Sequence, residues 1–236
     1  MLTFKQFVQE ALTRVKGTQY GSNEGGVHVD SDTGEKYYVK HYENPDQAKS
    51  EVLAGKIYDH MGIKTLNPEY REIDGRPSVV TKWNDDLSQL GYHGSRQIDS
   101  DQANEIGKMY HGAILTKNWD IVGQDYDNIT KNSKGDLHAI DHGGTFEFRA
   151  QGGHKNYDRD IGEHQSLRND EEASGDLFNR TFKTHRNAER NGLDSVRNMN
   201  DDHIHSLFAN SGLSNWEQLH SNFMEKKKKL LARYGH

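Results

Sequence analysis

Apolar residues change their spacing several times along this chain, and each change marks an element. Phe4, Phe7, Val8, Ala11, Leu12 and Val15 recur at helical intervals, which predicts an amphipathic helix over residues 1–16. Polar residues interrupt it, so it lacks the roughly 7–15-residue apolar core of a secretory leader. Over residues 27–29 and 37–42 the pattern becomes that of strands, on either side of the turn Asp30-Ser31-Asp32-Thr33-Gly34. Asn44-Pro45 supplies a cap and a first-turn proline for a helix carrying Val52, Leu53, Ile57 and Met61, with Gly62 placed to end it. Residues 70–73 and 78–83 make a second hairpin around Asp74-Gly75.

Residues 84–100 are polar and aperiodic, as expected of a hinge. A helix then begins near Asp99-Ser100, with Ala103, Ile106, Tyr110, Ile114 and Leu115 along one side. Two short strands follow, then a polar stretch over residues 152–174. Beyond it the chain reads as helical. Asp176 is placed to cap a segment with Leu177, Phe178 and Phe182; Asn200 caps one with Ile204, Leu207 and Phe208; Ser214 and Glu217 open the last. The expectation is an α+β fold of two lobes: an amino-terminal helix (1–16), a small β-rich lobe with one helix (17–84) and a mostly helical lobe (85–236).

Composition narrows the class. Leu, Ile, Val and Phe make up only about a fifth of the residues, near the range of disordered chains. Disorder also needs high net charge, and this chain carries −6 over 236 residues, with eleven Tyr and three Trp adding apolar area. A folded, thin-cored, polar protein is the consistent reading. The near-neutral charge leaves no broad basic field for nucleic acid. No apolar run approaches the roughly 20 residues that span a bilayer, so no membrane partner is expected. The absence of cysteine excludes disulfides, thiolate zinc sites and cysteine nucleophiles, and fits a cytoplasmic location.

Three groups of residues carry candidate chemistry. Gly21-Ser22-Asn23-Glu24-Gly25-Gly26 precedes a strand, where glycines let backbone N–H groups approach a nucleotide's phosphates. No Gly-Lys-Ser/Thr follows, so it is not a Walker loop. Lys40 lies mid-strand one hairpin later, and Glu51, eleven residues on, sits on the following helix where it can orient the ammonium group. The third group lies around the turn Ser133-Lys134-Gly135-Asp136. Antiparallel pairing about that turn brings Asn128 beside Asp141, an amide oxygen and a carboxylate that suit Mg2+. Asp120 or Asp125, just upstream, is placed to accept a hydroxyl proton.

In this order these residues resemble an atypical protein kinase-like family, nearest its phosphatidylinositol-kinase-like and HipA-like branch and the compact kinase-like proteins common in bacteria and bacteriophages. The resembling pieces are the glycine loop, Asn118-Trp119-Asp120-Ile121-Val122-Gly123 with Asp127-Asn128-Ile129, and the run from Ile140-Asp141-His142-Gly143-Gly144 to Ala150. The resemblance spans about residues 17–152. It implies a two-lobed protein kinase-like fold, ATP and Mg2+ as cofactors, and transfer of the γ-phosphoryl group to a hydroxyl, first of all on a protein serine or threonine. It further implies that Lys40, braced by Glu51, contacts the phosphates, and that Asn128 and Asp141 hold the metal. Gly21, Ser22, Asn23, Gly25, Gly26, Thr81 and Trp83 would contribute to the nucleotide site. A bacteriophage origin would place the protein in the host cytoplasm.

Two departures from the family pattern matter. The usual base lies five residues before the asparagine, where this chain has Gly123; Asp120 lies eight before and Asp125 three before. Asp120 is preferred, because Asn-Trp-Asp is the piece typical of the branch. Asp141 is followed by His142-Gly143-Gly144 rather than Phe-Gly, which argues against a conventional activation switch. Nucleotidyl transfer on the same metal site, or a silent kinase-like module that binds a partner, are the alternatives. His203 and His205 stand two apart, outside the helical zinc pattern, and Lys226-Lys227-Lys228-Lys229 reads as a solvated helix face.

Overall fold

Strand patterning in the first third of the chain produces one antiparallel sheet. In the computed structural model, which describes residues 12–18 and 24–234, its strands are β1 (Leu12–Arg14), β2 (Gly25–Asp30), β3 (Lys36–His41), β4 (Glu69–Ile73) and β5 (Arg76–Lys82). They pair in the order β1-β2-β3-β5-β4. Helix α1 (Pro45–His60) crosses between β3 and β4, opened by the Asn44 side chain accepting from the Asp46 N–H at 2.9 Å. Tyr42, Ala48, Val52 and Val79 pack between this helix and the sheet, while Val39, Ile73 and Val80 form a separate small cluster with Leu12 and Tyr37.

Residues 1–11 of the expected amino-terminal helix lie outside the described residues. Its end is corrected: Leu12–Arg14 is a strand, paired from Leu12 with Asp30 to Arg14 with His28. The edge of β2 offers unpaired backbone groups, and pairing satisfies more of them than a last helical turn would. Arg14 Nη2 adds a 2.6 Å bond to the Gly25 carbonyl.

The polar segment expected as a hinge contains a two-residue strand, β6 (Ser88–Gln89), and a short helix, α2 (Gly91–Ser95). Helix α3 (Ser100–Thr116) starts at a capping box made by Asp99 and Gln102 and buries Ala103, Ile106, Tyr110, Ile114 and Leu115. Strands β7 (Ile129–Lys131) and β8 (Leu137–Ala139) follow, in a sheet ordered β6-β7-β8. The rest is helical: α4 (Glu163–Ser166), α5 (Ala173–Thr184), α6 (Ala188–Arg197), α7 (Asp201–Ala209) and α8 (Trp216–Tyr234). Asp176 does not cap α5, which begins three residues earlier; it accepts instead from Tyr126 Oη at 2.6 Å and Arg180 Nη2 at 2.7 Å. The main core runs from the inner face of α1 through α3 to α8.

Helices α3 and α6 cross with their backbones almost touching. A methyl group at Gly107 would lie 2.0 Å from the Ala188 carbonyl oxygen, and one at Gly192 would lie 2.2 Å from the Gly107 carbonyl carbon. The lysine run on α8 is a further correction. Leu219, Phe223, Lys226 and Leu230 recur at steps of four, three and four, so Lys226 falls on the buried face. Its ammonium pairs with Glu163 at 2.8 Å and also donates to the Asp160 carbonyl. Lys227 is buried too, donating to the Met199 carbonyl at 3.1 Å and pairing with Asp201, which leaves Lys228 and Lys229 as the solvated pair. Among the described residues no helix is long and apolar enough to cross a membrane.

Candidate functional site

Alternation along a strand puts Lys40 and Tyr42 on the same side of the chain, facing α1. Lys40 Nζ lies 3.4 Å from Glu51 Oε2 and 2.5 Å from Asp141 Oδ1. Tyr42 Oη donates to the same Glu51 oxygen, and the His142 N–H donates to Glu51 Oε1 at 3.3 Å. Burial works against the Lys40 ammonium, but Glu51 and Asp141 together outweigh it and hold its pKa well above the usual lysine value. Glu51 moves the other way. Burial raises its pKa more than Lys40 lowers it. Asp141 keeps 42% of its side chain exposed, and Lys40 draws its pKa down against the effect of burial. Tyr42, which the sequence reading did not single out, is two residues beyond Lys40, the interval that places a strand neighbour on the same face.

The loop between α3 and β7 is held by its own side chains. Buried Asn118 accepts from the Asp120 N–H at 3.1 Å, and Asn128 Nδ2 donates to the Asp120 carbonyl at 2.6 Å. Two backbone bonds fold the intervening residues back: Gly123 N–H to the Asp120 carbonyl at 3.2 Å, and Asn128 N–H to the Val122 carbonyl at 3.2 Å. This bend absorbs the extra residues between Asp120 and Asn128. Gly123 makes it possible with φ of +75°, and it also leaves room that Asp127 occupies, since a methyl there would sit 2.0 Å from Asp127 Oδ1. Half-buried Asp120 has its pKa raised, first by burial and then by the charges of Asp141 and Asp127. Asp125 is exposed, and its carboxylate makes no hydrogen bond among the described residues.

The hairpin register differs by one residue from the one expected from its turn. Ile129 pairs with Ala139, and the Ile140 N–H donates to the Asn128 carbonyl at 2.9 Å, so Asn128 lies opposite Ile140, one residue before Asp141, and both Asn128 and Asp141 line one cavity. The bond from Nδ2 fixes the Asn128 amide, and its Oδ1 accepts nothing among the described residues. A free amide oxygen beside a carboxylate fits a hard divalent cation. Among the described residues no three His, Cys, Asp or Glu side chains converge, so the rest of the coordination would come from phosphate and water.

These groups open onto a cavity of about 500 Å³ lined by Lys40, Glu51, Asn128, Asp141, Thr81 and Trp83, with Leu66, Val79 and Ile140 among its apolar contacts. Gly21, Ser22 and Asn23 lie outside the described residues. Gly25 and Gly26 are in β2 and do not line the cavity; a methyl at Gly25 would meet the Val39 carbonyl oxygen at 2.2 Å. His142, beneath α1, packs edge-on against Tyr58 with ring centroids 4.8 Å apart, and burial pushes its pKa down to about 4. Gln47 Nε2 ties α1 to the loop after Asp141, donating to the carbonyls of Gly143 and Arg149 at 3.1 Å each.

A five-stranded sheet carrying a lysine braced by a helical glutamate, set over an Asn–Asp hairpin and a helical bundle, is a protein kinase-like fold. Among solved structures the chain resembles the Helicobacter pylori proinflammatory kinase CtkA, with a TM-score of 0.63 over 95% of each chain at 14% sequence identity. At that identity the likeness is one of fold. No family model and no curated protein sequence matches the chain.

Proposed function

We propose that this protein is an ATP- and Mg2+-dependent phosphotransferase, a serine/threonine protein kinase of the phosphatidylinositol-kinase-like and HipA-like branch, with lobes dividing near residue 84. The observation that carries the proposal is the convergence of Lys40, Glu51, Asn128 and Asp141 on one cleft of nucleotide size. Glu51 would hold the Lys40 ammonium toward the phosphates, and Asn128 Oδ1 and Asp141 would hold the cation. Thr81 and Trp83, which line the cavity, would contact the nucleotide, and the segment of Gly21, Ser22 and Asn23 that leads into β2 would cover its phosphates. Bound Mg2+ supplies charge neutralisation for the phosphate oxygens. Asp120, fixed by Asn118 and by its carbonyl bond from Asn128, accepts the hydroxyl proton. Its raised pKa makes it a stronger base than an ordinary aspartate.

Incubation with Mg2+ and ATP labelled at either the α or the γ position, with a mixed serine and threonine peptide pool, tests the reading. Label transferred from the γ position is the expected result. Transfer from the α position would instead establish a nucleotidyl transferase, and transfer from neither a kinase-like binding module.

A further inference from the structure

Trp119, next to the proposed base, is 41% exposed. Three cations surround it: Lys155 Nζ at 4.8 Å from the ring centroid, Arg149 Cζ at 5.5 Å and Lys117 Nζ at 5.8 Å. None of the four residues lines the nucleotide cavity. Lys155 holds the platform together, donating to the carbonyls of Lys117 at 2.5 Å and Gly144 at 2.7 Å. It thereby joins the loop bearing Asp120 to the loop bearing Asp141.

Charge at this platform is unbalanced. Lys117 has Asp158 and Glu163 within 3.4 Å, but Glu163 is shared with Lys226. Among the described residues Lys155 donates only to carbonyl oxygens, feeling Glu163 at longer range, and exposed Arg149 forms no ion pair. Three cations around one ring repel one another. Burial and the neighbouring Lys117 push the Lys155 pKa down to about 7. An anionic side chain laid over the ring would relieve that repulsion.

We infer that Trp119, Lys117, Arg149 and Lys155 form the acceptor platform, and that the acceptor hydroxyl belongs to a peptide segment flanked by aspartate or glutamate. This deepens the proposed phosphotransferase reading and rests on it for the role of Asp120. A hydroxyl placed at Asp120 would carry its flanking residues across the Trp119 ring, outside the nucleotide cavity.

Fluorescence anisotropy on the full chain tests this without requiring any chemistry. The probes are labelled serine peptides flanked by Asp and Glu, the same peptides flanked by Lys, and a uridylate oligonucleotide. The acidic peptide should bind about tenfold tighter than the basic one, and Arg149→Glu should remove most of that preference. Trp119→Ala should weaken the acidic peptide about fivefold, with circular dichroism confirming that both variants fold. Equal affinity for the two peptides, or an undiminished preference in Arg149→Glu, overturns the platform. Tighter binding of the oligonucleotide with the same Arg149 dependence overturns it in favour of nucleic acid. Selective binding of the acidic peptide without γ-phosphoryl transfer leaves the anion platform standing and removes the kinase reading alone.

Discussion

Replacing Lys40 by methionine removes the one cation among the described residues within salt-bridge distance of Glu51 and leaves a carboxylate that is only 6% exposed. Tyr42 and the His142 N–H still donate to it, but a buried charge held by neutral donors alone is costly. Glu51 then has an escape, which is to take up a proton. From its ordinary pKa of 4.5, neutralisation costs about 4 kcal/mol at about pH 7.5 and about 1.4 kcal/mol at about pH 5.5. Those figures cap the destabilisation. Asp141, more than a third exposed, stays hydrated and adds little. The sign follows from the raised folded pKa. In the variant the native state binds a proton that the unfolded state releases, so stability is greatest at low pH and falls as pH rises through that folded value. Lys40→Met should therefore lose up to about 4 kcal/mol near pH 7.5, about 8–16 °C in Tm, and much less near pH 5.5. Adding Glu51→Gln should restore most of the loss near neutral pH and remove its pH dependence, while phosphotransfer stays abolished in both variants. Urea denaturation at the two pH values measures this. A loss independent of pH, or one under about 1 kcal/mol at the higher value, would refute the claim that Lys40 holds a buried Glu51 charge.

Asp120→Asn should lower kcat about a hundredfold or more with little change in nucleotide affinity, whereas exposed Asp125→Asn should stay within about tenfold; steady-state kinetics showing the reverse would move the base to Asp125. Gly192→Ala should cost about 2–3 kcal/mol, because its methyl meets the Gly107 backbone rather than a side chain able to turn aside. A melting scan in which Gly192→Ala matched the parent would show that α3 and α6 separate freely.

The sequence alone determined what depends on local spacing. Period-two runs, the Asp74-Gly75 turn, the Asn44-Pro45 start and the apolar stripe of α3 each reappear as the expected strand, turn or helix, because backbone propensity and one buried face decide them. The hairpin joining Asn128 to Asp141 was legible too, but counting from its turn misses the register by one residue, since Asn128 lies opposite Ile140. Long-range packing decided the rest. Leu12–Arg14 is a strand because the β2 edge lies beside it, a neighbour that no local window contains. Lys226 is buried because Glu163 and the Asp160 carbonyl, more than sixty residues earlier, meet its charge inside the bundle. Gly123 has no room for a side chain because Asp127 fills the space above it, and only the folded loop shows that. The cations around Trp119 come from residues 117, 149 and 155, which converge when the Asp120 and Asp141 loops are clamped together. Local spacing carries the elements and their turns; charge compensation and close packing exist only between residues that the tertiary fold has made neighbours.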